Sequence, residues 1–190
     1  QDEVLHPEAV YGYWKCAAKG DAMVLFDEDG QTEIARFAFP RQQRADGLCI
    51  ADFIRDAETE GRDVIGLQAV TVGQEASDSV RSHFDNDRYQ DYLYLHGFSV
   101  EMAEALAEYV HQRIRSELGF GGGDAEDRET LLRQGYRGAR FSFGFPACPR
   151  LEDQAQILGL LGAGRIGVGM SDEHQLHPEL STTALVVHHP

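Results

Sequence analysis

The chain has 190 residues, 42% hydrophobic and 26% charged, with 32 acidic against 17 basic side chains and a net charge of -15. That length fits one domain of about 100–200 residues, and the apolar share supports a core, which argues against wholesale disorder. A field of this sign repels phosphate backbones and anionic headgroups, so neither nucleic acid nor a membrane surface is an expected partner. The longest apolar runs, 22–26 and 157–161, fall far short of the roughly 20 residues a spanning helix needs. The chain opens Gln1-Asp2-Glu3 with no basic, apolar leader and no Met, as expected of a module cut from a longer protein. Cys16, Cys49 and Cys148 are odd in number and form no C-x-x-C pair, so no disulfide framework or thiolate zinc site is expected, and a reducing cytoplasm is the natural location.

The first elements are strands. Val10-Tyr11-Gly12-Tyr13-Trp14 is rich in aromatics, 22–26 is a short apolar run, and Asp29-Gly30 marks a hairpin turn before 34–39, which Pro40 ends. A short helix is expected around 49–54, then a buried β-branched strand over 64–72. The following stretch reads as helical, most clearly from Ser99 as N-cap to Leu118 before Gly119. Ala103, Leu106, Ala107, Val110 and Ile114 recur at helical spacing as its buried stripe, flanked by a polar stripe of Glu104, Glu108, His111 and Arg115. Gly121-Gly122-Gly123-Asp124 reads as a mobile break, 127–133 as a short helix, 151–161 as another helix, and 166–170 and 182–187 as strands. Strands and helices grouped in runs predict an α+β domain with a twisted, mainly antiparallel sheet packed by helices.

The chemistry concentrates at 136–149, YRGARFSFGFPACP. Two prolines and the glycines exclude regular helix there, so the segment is an ordered loop or a short extended piece whose backbone can approach a ligand. Arg137 and Arg140 offer forks for a carboxylate, and three phenylalanines offer flat apolar faces. The same composition also suits core aromatics with a solvated arginine edge. The polar stripe of the long helix has two readings as well, an active-site face or a solvated face of charge pairs. His174, His177, His188 and His189 lack the Glu of an H-E-x-x-H motif, and Pro178 disfavours a helix, so structural or surface roles are expected rather than a metal site. Cys148 reads as a packing residue rather than a nucleophile, and Asp52 as a turn carboxylate paired with Arg41 or Arg44.

The run at 136–149 resembles the R-x-x-x-G-[YF]-x-x-C-P segment of the activation domain of cobalamin-dependent methionine synthase. Arg41-Gln42-Gln43, the 48–54 run LCIADFI, the 103–111 run AEALAEYVH, Arg165-Ile166-Gly167-Val168 and the closing Val187-His188-His189-Pro190 are similar to further motifs of that family, in the same order. The resemblance implies a module that binds S-adenosylmethionine (AdoMet) and presents its methyl to cobalamin carried by a neighbouring domain of the same polypeptide. A flavodoxin-type donor would supply the electron, and zinc would belong only to another domain of the full-length enzyme. It further implies that Arg140 grips the AdoMet carboxylate, that the backbone around Phe141, Gly144, Ala147 and Cys148 holds the adenosyl part, that Glu104 lies near the ligand, and that Phe145 faces the corrin. No catalytic acid or base is implied, and the isolated domain is not expected to turn over.

Two departures accompany the resemblance. After Pro149 this chain has Arg150-Leu151-Glu152-Asp153 where many members carry an acidic residue, His and Thr. The family's upstream Asp and the aromatic pair beyond its final His-Pro lie outside the sequence, so 1–190 is expected to be a single activation domain truncated at both ends. Because flavodoxins are also acidic, a positive rim formed by Arg137, Arg140, Arg150, Arg41 and Arg44 is expected around the loop. The competing readings are a docking module that binds no AdoMet and a small enzyme using Glu104 and His111 as an acid–base pair in one cleft.

Overall fold

The computed structural model describes residues 4–43 and 46–188. Its centre is a six-stranded antiparallel sheet in the order β3-β2-β1-β4-β8-β5. The strands are β1 (Glu8–Lys19), β2 (Ala22–Phe26), β3 (Glu33–Ala38), β4 (Asp63–Thr71), β5 (Ala139–Ser142) and β8 (Ser181–Val187). A separate two-stranded ribbon pairs β6 (Gly169–Met170) with β7 (Leu176–His177). The helices are α1 (Gln74–Asp85), α2 (Tyr89–Glu117), α3 (Arg128–Leu132) and α4 (Gln154–Leu161). The expected α+β class with an antiparallel sheet is the observed one, and no helix among the described residues is long and apolar enough to cross a membrane.

Side-chain alternation divides the sheet into two faces. Ile65, Leu67 and Ala69 of β4 and Leu185 and Val187 of β8 join the larger core, with Ile157 and Leu161 of α4 and the 3-10 turn Ile50–Phe53. Val70 and Val186, which point the other way, pack beneath Ala107, Val110 and Ile114 of α2. The predicted helix stripe is therefore the one that meets the sheet. Between these layers, Gln68 is fully buried and donates to the Ala107 carbonyl at 3.1 Å.

Four local expectations need correction. Ser99 is no N-cap: α2 begins ten residues earlier, and Ser99 is buried in its middle. The early turns carry exposed Tyr89, Leu93, Tyr94 and Phe98, which blur the stripe, but Tyr92 and Leu95 pack on α1, with Tyr92 set edge-on to Phe84 at 5.3 Å. The 166–170 run is strand only at Gly169–Met170, since Ile166 ends a 3-10 turn and Gly167 turns the chain; a short apolar stretch among glycines has no period to mark that boundary. Gly121–Gly123 forms a tight 3-10 turn, and Asp124 just after it is tied to Arg115 of α2, so the segment is anchored rather than loose. The expected rim is broken up: Arg41 pairs with Asp21 and Asp52, Arg140 with Glu104 and Glu108, and Arg150 with Glu152 and Asp153, while Arg137 is exposed and joins no ion pair among the described residues. With nearly twice as many acids as bases in the chain, Arg41, Arg140 and Arg150 are met by carboxylates. Arg44, like His189, lies outside the described residues.

Candidate functional site

The 136–149 segment supplies β5, an edge strand paired only with β8, with Arg140 opposite Val186 and Phe141 opposite Leu185. This register sends alternate side chains to opposite faces. Arg140 and Ser142 lie on the α2 side, while Phe141 lies on the side of the Ile50–Phe53 turn. β5 thus runs as a ridge between two hollows. One, of about 550 Å3, is lined by Glu104, Glu108, Tyr109, Gln112, Tyr136 and Arg140; the other, of about 390 Å3, by Pro40, Leu48, Phe53, Phe141, Phe145 and Ala147. Both fall in the size range of small-molecule sites.

On the charged side, the Arg140 side chain is only 16% exposed. Its Nη2 donates to Glu104 Oε2 at 2.8 Å, its Nη1 to Ser142 Oγ at 3.4 Å, and its Nε lies 3.5 Å from Glu108 Oε2. Behind it, His111 is fully buried and Arg115 almost so. Nδ1 of His111 sits 3.1 Å from both Glu108 Oε1 and Arg115 Nη1. Protonated, it donates to the carboxylate; unprotonated, it accepts from the guanidinium. Arg115 Nη2 donates to Asp124 Oδ2 at 2.5 Å, and its guanidinium lies 4.0 Å from the centre of the Tyr136 ring. The helix polar stripe is therefore neither a solvated face nor an acid–base pair in one cleft. Glu104 faces outward and His111 inward, and it is Glu108 that His111 contacts.

The hydrogen bond with His111, helped by the nearby Arg140 charge and the Tyr136 hydroxyl, holds the Glu108 carboxyl down at about 2 against the opposing effect of burial. Since that lies below the unfolded value of about 4.3, the stability this carboxylate contributes is complete above the unfolded value and is lost as pH falls through about 2. A carboxyl-carbon NMR titration of Glu108 checks this. A midpoint at the unperturbed 4.3 or so would mean that the His111 contact is not made in solution.

On the apolar side, Gly144 N–H donates to the Cys148 carbonyl at 3.0 Å and Cys148 N–H to the Phe145 carbonyl at 2.9 Å. The tight turn so formed leaves Phe145 65% exposed at its tip. Gly144 has φ +89°, a region open to glycine. Cys148 points inward, its Sγ donating to the Ser142 carbonyl at 2.8 Å, and burial pushes its thiol up to about 12, which suits packing and not nucleophilic attack. Asp52 accepts from both Nη atoms of Arg41 at 2.9 Å.

The structure thus gathers Arg140 with Glu104 on one side of β5, and Phe141, Phe145 and Ala147 on the other, with Gly144 and Cys148 in the turn between. Sequence reading missed Tyr109 and Gln112 as lining residues and gave Tyr136, the first residue of the 136–149 run, no role of its own. The first two share the exposed flank of α2 with Glu104 and Glu108, a signal that helical spacing could have given. His174 and His177 lie around the β6–β7 ribbon, and among the described residues no group of three His, Cys, Asp or Glu side chains is placed to hold a metal ion.

What fold and site define together is an α+β module with a charged and an apolar shelf on either side of an edge strand. The family model of the vitamin B12-dependent methionine synthase activation domain matches residues 1–190, and the chain belongs to that family. It is 48% identical over 197 residues to methionine synthase of Mycobacterium tuberculosis (strain ATCC 25618 / H37Rv), covering 97% of this chain. It is 49% identical over 194 residues to the Mycobacterium leprae (strain TN) enzyme, covering 95%. The chain spans 16% of the length of each of these relatives. A crystal structure of the MetH reactivation domain bound to AdoHcy superposes with a TM-score of 0.88 at 28% identity, covering 99% of this chain and 60% of that one.

Proposed function

We propose that the 190 residues act as one activation domain of a larger methionine synthase, binding AdoMet along β5 and presenting its methyl for reductive methylation of cobalamin. The observation that carries this reading is the recessed Arg140 fork beside the exposed Phe145 turn, in a fold whose solved relative is bound to AdoHcy. Arg140 would take the ligand's carboxylate, and Glu104 lies close enough to that fork to balance the ammonium or sulfonium charge. Backbone groups of 141–148 would hold the adenosyl part, and Phe145 would face the corrin. Cobalamin on a neighbouring domain of the same polypeptide would supply the methyl-accepting reduced cobalt and a flavodoxin-type donor the electron, while this chain's part is to hold AdoMet with its methyl exposed beside Phe145. AdoHcy is left on this chain. Such a transfer asks the domain for placement and electrostatics rather than proton shuttling, and alone it turns nothing over.

Calorimetric titration of AdoMet into this chain and into Arg140→Ala tests the reading. Binding by the first and a loss of about tenfold or more in the second is expected, as for removal of a charged hydrogen-bond partner. Equal affinity in both would remove Arg140 from the site. Failure of AdoMet to protect 136–149 from proteolysis would favour a docking module instead.

A further inference from the structure

The AdoMet reading accounts for Arg140 but leaves a second arginine unexplained. Arg115 is 1% exposed and is the largest fully buried side chain among the described residues. Taking a guanidinium out of water carries a large desolvation penalty, offset only by good partners. Asp124, 14% exposed, meets one Nη of the fork. The other Nη does not turn to Asp124: it points along α2 toward His111 Nδ1 and stands 3.9 Å from Glu108 Oε1.

Glu108 divides its two oxygens between two cations. Oε1 faces inward to His111 and Arg115, and Oε2 faces outward to Arg140 Nε. The 3.5 Å ion pair at Arg140 Nε attracts that side of the guanidinium toward Glu108 and leaves the Nη edge turned outward. Here that edge carries Glu104, which is half-exposed, and a long contact to Ser142. A ligand carboxylate can therefore take the place of Glu104 while Glu108 stays anchored from behind.

We propose that Arg115, almost wholly buried in the wall of the charged hollow, is a positioning residue of the ligand site, acting through Glu108 to hold the Arg140 guanidinium in the orientation that receives the ligand's carboxylate. This rests on the AdoMet reading above. The turn that carries Asp124 is then part of the site's support, although Asp124 is not among the residues lining the hollow. Arg115 Nε, Asp124 Oδ1 and His111 Nε2 are buried with no protein hydrogen-bond partner.

The test uses Arg115→Lys, which keeps the charge but cannot span Asp124 and Glu108 at once, together with Glu108→Gln and the double variant. Two quantities are read: solvent exchange of the Arg140 Nε–H signal in the free protein by 15N NMR, and AdoMet affinity by calorimetry, with thermal unfolding to confirm folding. Both single variants are expected to speed exchange at Arg140 Nε–H and weaken AdoMet by about tenfold, the scale of one hydrogen bond to the ligand. The double variant should be no weaker than Glu108→Gln alone. An Arg140 signal unchanged in Arg115→Lys, or losses that multiply in the double variant, would overturn the proposal. Should Arg115→Lys not fold, Asp124→Asn takes its place, and an unchanged Arg140 signal in the folded protein overturns the proposal equally. If the Arg140 signal responds as expected while the parent chain binds no AdoMet, the relay stands and the ligand reading falls.

Discussion

Asp124→Ala is expected to lower the free energy of unfolding by about 3–5 kcal/mol, the usual consequence of leaving one member of a buried ion pair without its partner. The penalty arises at Arg115. Its side chain is almost wholly buried, its Nε has no protein hydrogen-bond partner, and its remaining contacts are His111, a distant Glu108 oxygen and the Tyr136 face. In a domain of this size the loss corresponds to a fall in Tm of roughly 10 °C, readable by calorimetry or by urea unfolding. Arg115→Met in the same background should recover most of it, because a buried ion pair replaced whole by apolar atoms is often neutral. A loss below about 1 kcal/mol in Asp124→Ala, the level of an exposed pair, would show that the pair is solvated and Arg115 is not sealed. The double variant also separates two roles of Arg115. It should regain stability and still leave Arg140 poorly held, since Met cannot support Glu108.

That pair also marks where the sequence stops being readable. The spacing of Glu104, Glu108, His111 and Arg115 places them along one side of a helix, which is what is observed. Whether such a side is wet depends on what covers it, and the cover comes from Asp124 and Tyr136, in a glycine-rich turn and an irregular segment with no period of their own. Spacing therefore gives the stripe without its burial. The same limit applies at β5. Composition picks out 136–149 as the place where ligand chemistry concentrates, and resemblance to a family attaches roles to Arg140 and Phe145. That Arg140 and its neighbour Phe141 face opposite sides of a ridge follows from register with β8, a strand far along the chain, and Phe145 is placed by the Gly144–Cys148 turn. The strands β1 to β4, by contrast, were legible from their aromatic, apolar and β-branched runs, from the alternation over 34–39 and from the Asp29-Gly30 turn. The surface charge was misjudged because sequence counts arginines without their neighbours, and folding brings a carboxylate to each of Arg41, Arg140 and Arg150.

Gly138→Ala is expected to cost about 2–5 kcal/mol, combining the strain of a left-handed backbone with overpacking at a tight contact. Gly138 has φ +94°, and a Cβ there would lie 2.7 Å from Cε2 of Phe120 and 2.9 Å from the carbonyl oxygen of Val187. The phenyl ring can turn aside; the carbonyl cannot, because Val187 sits in β8 opposite Ala139, the first residue of β5. Relief must then come from β5 moving away from β8, which carries Arg140 with it. Stability and AdoMet affinity should fall together for this reason. Gly144→Ala provides the contrast: at φ +89° it meets the same kind of backbone strain, but its Cβ would approach only the end of the Leu151 side chain, at 3.2 Å. Its loss of stability should stay near the strain alone, about 1–2 kcal/mol. Urea unfolding of the two variants side by side decides the matter. Equal losses would mean that the β5–β8 junction yields without resistance, and that Arg140 is not held in place from its own strand.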